Sequence, residues 1–118
     1  MRSNSAAGTK PLTSSVFYIL LALADKDRHG LGIAEEVEER TGGEVEMSPG
    51  TVYNALRKML ADGLIQETRD RPPPEEDDPR RRYYRITERG RETVSAEAGR
   101  LDRVVLAARE KDLLPAER

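Results

Sequence analysis

The residues best placed to do chemistry form one face of a segment that opens at Ser48-Pro49 and closes at Gly63. At about 100° per residue, Gly50, Asn54, Arg57, Lys58 and Ala61 gather on one side, with Thr51 and Tyr53 on its flanks. Val52, Ala55, Leu56, Met59 and Leu60 gather on the other. The polar side carries cations, an amide and a hydroxyl, and no acid before Asp62; Ser48 joins this set at the helix start. Arg pairs in bidentate fashion with guanine and Asn with adenine, Lys and Arg meet phosphates, and small residues let a backbone come close. These are the residue types a helix needs in the major groove of double-stranded DNA. A solvated polar face is the plain alternative. A second cationic run, Arg80-Arg81-Arg82, serves phosphate contact or balances the acids that precede it.

Catalytic chemistry finds little to build on. The chain has a single His, no Cys and no Ser-His-Asp spacing, so a nucleophile has no partner, and no enzyme is expected. His29 reads as a turn residue or helix-end donor. Glu75, Glu76, Asp77 and Asp78 could gather a hard cation, but a proline-flanked tip does not fix ligand geometry, so neither metal nor cofactor is expected. With no Trp and one Phe, no aromatic slot for a flat ligand is legible.

The elements that must position these residues follow from pattern. At 118 residues with 36% apolar and 36% charged content, the chain is about one domain with a limited core, for which a partner subunit is a natural support. The absence of Cys suits a reducing cytoplasm, the expected compartment. The longest apolar run, Val16 to Ala24, falls short of the ~20 residues that span a bilayer, so no membrane role is expected. The net charge of −2 does not decide against DNA, because acids and bases segregate along the chain.

Residues 1–10, rich in Ser, Ala and Gly, read as a disordered leader. Thr13 and Ser14 cap an apolar helix through Ala24, which should be central because it is hydrophobic nearly all round. Asp25 to His29 reads as a polar turn. A helix from Gly30 to Arg40 presents Ile33, Ala34 and Val37 on one face and ends at Thr41-Gly42-Gly43. After the helix that opens at Ser48, Leu64 to Arg69 and Arg82 to Thr87 read as strands, with Tyr84 inward and Tyr83 outward. Residues 70–81 between them, with Pro72-Pro73-Pro74 and the acidic run, read as a mobile hairpin tip. Thr87 caps a long last helix, whose residues Val94, Ala98, Leu101, Val105 and Ala108 recur at heptad steps. Leu106, Leu113 and Leu114 add apolar surface, and Pro115 marks the end. The order predicts a mainly α fold with a small β-hairpin: a winged helix-turn-helix at 11–87, then a C-terminal dimerisation helix at 88–114.

Four stretches make a family visible: His29-Gly30-Leu31-Gly32-Ile33, Ser48 to Arg57 (SPGTVYNALR), Asp62-Gly63-Leu64-Ile65, and Arg82 to Gly90 (RYYRITERG). Together they resemble the PadR family of bacterial regulators from about Leu12 to Val94, and the single short C-terminal helix resembles its compact subgroup. The resemblance implies a homodimeric transcriptional repressor on a dyad-symmetric operator, with relief by a small-molecule inducer as a family trait. It places the third helix in the major groove and the wing alongside, and it suggests that Gly30 and Gly90 leave room where elements meet. Leu31 stands where the family usually has Tyr, so that contact does not carry over. The acidic, proline-rich wing tip departs from the family and speaks against deep minor-groove insertion. The rival function is a winged helix that contacts proteins without binding DNA, which the net negative charge favours.

Overall fold

A computed structural model of the chain describes residues 12–73, 75 and 77–115. The expected leader at 1–10 lies outside them, as do Pro74 and Glu76 of the wing tip. Helix α1 (Ser14–Leu23) starts where the Thr13 hydroxyl accepts from the Val16 amide at 3.3 Å. Its Ile19, Leu20, Ala22 and Leu23 are buried, as an all-round apolar helix requires. Helix α2 (Gly30–Arg40) ends as predicted, Gly42 and Gly43 both taking positive φ. Helix α3 (Pro49–Ala61) is followed by Gly63 at φ 77°, where the Leu64 amide turns back to donate to the Met59 carbonyl at 3.0 Å. Ile19, Leu20 and Leu23 of α1, Ile33 and Val37 of α2, and Val52, Leu56 and Met59 of α3 share one core, closed by Ile65, Tyr84, Ile86 and Val94.

The sheet is larger than the expected hairpin. Strand β1 (Arg28–His29) forms within the stretch that reads as a polar turn, and it pairs antiparallel with β3 (Tyr83–Ile86), Arg28 opposite Tyr84. On the other edge β2 (Ile65–Thr68) pairs with β3, Ile65 opposite Ile86, which gives the order β1-β3-β2. The Arg28 guanidinium secures β1 to the preceding helix, donating to the Ala22 carbonyl at 2.7 Å and pairing with Glu36 of α2 at 3.5 Å.

Helix α4 (Glu88–Glu110) departs directly from β3. Thr87 donates its hydroxyl to the Gly63 carbonyl at 2.7 Å and accepts the Gly90 amide at 3.0 Å. A Cβ at Gly90 would collide with the Leu64 carbonyl and stand 2.8 Å from Ile86 Cγ1, so glycine is required by close approach.

Two expectations for this helix need correction. Val94, assigned to the dimer seam, is 7% exposed and belongs to the domain's own core. Gly90, Thr93, Val94 and Glu97 form the inward face of α4, with Glu97 closed off by Arg100 at 2.7 Å. The helix also ends at Glu110 rather than near Pro115: Asp112 takes φ 63°, and the Leu113 amide returns to the Ala108 carbonyl at 2.9 Å. Beyond Glu97 the helix leaves the domain. Ala98 is exposed, Leu101 and Ala108 are half-buried, Val105 is 36% exposed, and Val104 and Leu106 are each 54% exposed. Among the described residues, no helix is long and apolar enough to cross a membrane.

Candidate nucleic-acid interface

The face of α3 is set by its first turn. Ser48 Oγ accepts from the Thr51 amide at 3.2 Å and donates to Thr51 Oγ1 at 3.0 Å, so this hydroxyl is engaged in capping. Val52, Leu56 and Met59 are buried, while Gly50, Thr51, Tyr53, Asn54, Arg57, Lys58 and Ala61 are exposed. Leu60, grouped with the apolar side by its angle, is in fact exposed at that side's edge. Arg57 Nη1 donates to Asn54 Oδ1 at 3.3 Å. Neither Arg57 nor Lys58 pairs with an acid among the described residues.

Beside this face lies a cleft of about 440 Å³ between the start of α2, Tyr53 of α3 and the wing base. His29, Gly30 and Leu31 line one side, Asp78 and Arg80 to Arg82 the other. Tyr53 lies close over Gly30: a Cβ there would stand 2.9 Å from its hydroxyl, so the bare backbone is what lets the ring settle. Arg80 to Arg82, which pattern alone leaves open between phosphate contact and charge balance, thus share a cavity with the edge of α3.

His29 joins β1 to α2. Its Nδ1 accepts the Gly32 amide at 3.1 Å, and its ring meets Tyr83 edge-on at 5.3 Å between centroids. Burial, and then the nearby Arg81 guanidinium, hold the imidazole below its ordinary pKa of 6.5. Only the unprotonated Nδ1 can accept, so protonation removes the cap. Because the folded pKa is lowered, the unfolded chain takes up the proton first. The cap's contribution is therefore complete above pH 6.5 and is lost as pH falls through the folded value. Thermal unfolding between about pH 8 and pH 5 should show a loss on the order of 1 kcal/mol from this group. His29→Asn keeps a cap acceptor and should flatten that part of the profile; the same pH profile in both proteins would assign the loss to other groups.

The wing base is organised by Arg71. Its guanidinium donates to Asp77 Oδ2 at 2.7 Å, to the Arg81 carbonyl at 2.7 Å and to the Asp78 carbonyl at 2.9 Å, and lies 5.0 Å from the Tyr83 ring centroid. The Tyr83 hydroxyl donates to Asp77 Oδ1 at 3.0 Å. Two expectations change here. Tyr83 does point away from the core, yet it is only 7% exposed, because His29, Arg71 and Asp77 cover it. Burial and the Asp77 bond push its phenol up. The described residues of the tip, predicted as mobile, are tied back by the Arg71 bonds. The three wing arginines differ in partnership. Arg80 is held by Asp78 at 3.0 Å, and its side-chain and amide bonds keep that carboxyl at about 2. Arg82 stands 3.9 Å from Glu67, and Arg81 has no ion pair among the described residues.

Sequence reasoning missed the parts of this site that depend on distant contacts. His29 as a cap had a local signal, an acceptor side chain directly before Gly30. Arg71 had none, since its partners lie across the wing. Among the described residues, no group of three or more His, Cys, Asp or Glu side chains could hold a metal ion.

A helix-turn-helix whose second helix is exposed on its polar face, flanked by a strand-borne wing, defines a winged-helix protein. The model of the transcriptional regulator PadR-like family matches residues 19–96, and the chain belongs to that family. Its fold is shared with a PadR family transcription regulator from Clostridium difficile R20291, at 27% identity and a TM-score of 0.67, covering 81% of this chain and 95% of that one. A transcriptional regulator from Clostridium thermocellum superposes with a TM-score of 0.67 at 21% identity, covering 81% and 87% of the two chains. Bacillus subtilis PadR, solved in complex with operator DNA, shares the fold at 19% identity with a TM-score of 0.60; the match covers 72% of this chain and 46% of that one. No curated protein matches the chain.

Proposed function

We propose that the chain binds double-stranded DNA through α3 and the wing base, as a homodimeric repressor on a dyad-symmetric operator. The observation that carries this is the exposed face of α3: Asn54, Arg57 and Lys58 without an acid partner among the described residues, next to the Arg81 and Arg82 side of the cleft. In a chain of net charge −2, cations left unneutralised on one surface mark where a polyanion docks. Family membership supports the regulatory role, and the operator complex of B. subtilis PadR supports DNA as the partner. Asn54 and Arg57 read bases, Gly50 and Thr51 let the backbone approach, Tyr53 packs at the edge, and Lys58 with Arg81 and Arg82 meets phosphates. The homodimer forms through α4 beyond Glu97, where Leu101, Val105 and Ala108 continue an apolar stripe past the parent domain. An inducer of unassigned chemistry belongs to this proposal through the family alone.

The test is a titration of duplex DNA at several salt concentrations. Log affinity should fall about linearly with log salt, and Lys58→Ala and Arg81→Ala should each shallow the slope by about 0.9 for every phosphate they leave unneutralised. Both should weaken every sequence alike. Binding without salt dependence, or no binding at all, would return the protein-contact function to the front.

A further inference from the structure

Asp78 lines the same cleft as Arg80, Arg81 and Arg82, and its carboxylate already holds one of them. Its Oδ2 lies 3.0 Å from Arg80 Nη2, while Oδ1 accepts from Arg80 Nε at 3.2 Å and from the Arg80 amide at 2.9 Å. The neighbouring acid has a different task. Asp77 is tied to Arg71 and to the Tyr83 hydroxyl, and its side chain is 6% exposed. The Asp78 carbonyl accepts from Arg71 Nη2 and from the Arg81 amide, each at 2.9 Å, while its carboxylate, bonded to Arg80, stays 34% exposed against an Arg80 side chain that is 89% exposed.

We propose that Asp78 is a built-in competitor for a DNA backbone phosphate: it occupies Arg80 in the free protein and yields it when the wing base meets the duplex. This rests on the proposed DNA binding. Like a phosphate, a carboxylate offers a guanidinium a pair of acceptor oxygens, so Arg80 exchanges one partner for the other by a side-chain rotation. An ion pair this exposed is weak, and breaking it is a small obstacle. Counterion release counts only cations that newly meet phosphate, and an arginine that must first abandon its own acid adds little. The acidic tip therefore lowers sequence-independent affinity while leaving the base-reading face of α3 untouched.

Asp78→Asn keeps an acceptor for the Arg80 amide and removes the charge. Its affinity for a random-sequence duplex should rise roughly threefold to tenfold at about 0.1 M salt, with a slope steeper by up to about 0.9 per wing. Adding Arg80→Ala to Asp78→Asn should abolish the gain, which assigns it to the released guanidinium. Asp77→Asn, which cuts the Arg71 and Tyr83 anchor, should lower the unfolding temperature without steepening the slope. Salt-dependent wild-type binding with Asp78→Asn unchanged would overturn the competitor role. So would a gain that survives intact in the Arg80→Ala, Asp78→Asn double variant, since that would be a general charge effect. If neither wild type nor Asp78→Asn binds duplex DNA, the DNA-binding proposal fails, and the competitor with it.

Discussion

Val105→Asp should convert the proposed α4 dimer into a folded monomer. In the protomer Val105 is 36% exposed and lies outside the core cluster, so an aspartate there meets solvent and costs little, within about 0.5 kcal/mol. In a two-fold dimer the same residue enters the interface twice. Each unpaired charge buried in such an interface costs about 3–5 kcal/mol, so the proposed dimer would lose about 6–10 kcal/mol. That raises Kd by at least ~10⁴-fold, enough to dissociate a micromolar or nanomolar dimer at working concentration. Light scattering should report half the mass while circular dichroism keeps its helical signal. Operator affinity should fall with it, because two half-sites on one dimer bind as a linked pair. A dimer of unchanged mass would remove this stretch of α4 from the interface. Val94→Asp is the contrast: it should unfold the domain, because Val94 belongs to the core.

The contrast between those valines shows where pattern stops being legible. Heptad steps place Val94 and Val105 on one stripe, and periodicity cannot tell which part of a stripe faces the parent domain. The answer depends on where α4 leaves the body, which the close approach of Gly90 to Leu64 and the turn at Thr87 decide in three dimensions. Local chemistry was legible. Ser48, Thr13 and Thr87 cap where hydroxyls precede apolar runs, and α2 spans Gly30 to Arg40 because its glycine-marked ends are short-range features. Strand β1 was not, since two residues carry no alternation and Arg28 pairs with Tyr84, far along the chain. Tyr83 was misjudged for a related reason. Alternation correctly turned it from the core, but its cover comes from Arg71 and Asp77, in a segment whose prolines and acids suggested only mobility. The exposed polar face of α3 needed nothing distant and was legible from angle alone, except at Leu60 on its border.

Arg57→Ala should cost about 1–3 kcal/mol per half-site on the operator, and about twice that for the dimer, while binding to random DNA changes much less. Arg57 and Asn54 stand three residues apart on the exposed face, and Arg57 Nη1 already donates to Asn54 Oδ1 at 3.3 Å in the free protein. This bond holds the guanidinium along the helix and would lower the rotamer entropy given up in the proposed docking on a guanine edge. Asn54 keeps its amide hydrogens for an adenine, whose N6 and N7 require both a donor and an acceptor. Asn54→Ala should therefore do two things: remove discrimination at one base pair, and loosen Arg57 so that discrimination at a neighbouring pair weakens as well. In a double-mutant cycle the pair should be non-additive, with the double variant losing less than the sum of the single losses. Half-sites should be dyad-related and centred about one helical turn apart, since each α3 of the proposed symmetric dimer would enter a successive major groove. The decisive measurement is a titration across operator variants substituted one base pair at a time. Losses confined to particular positions assign base reading to Asn54 and Arg57. Uniform losses across all variants would make both phosphate clamps and pass the reading role to Thr51, Tyr53 or the wing.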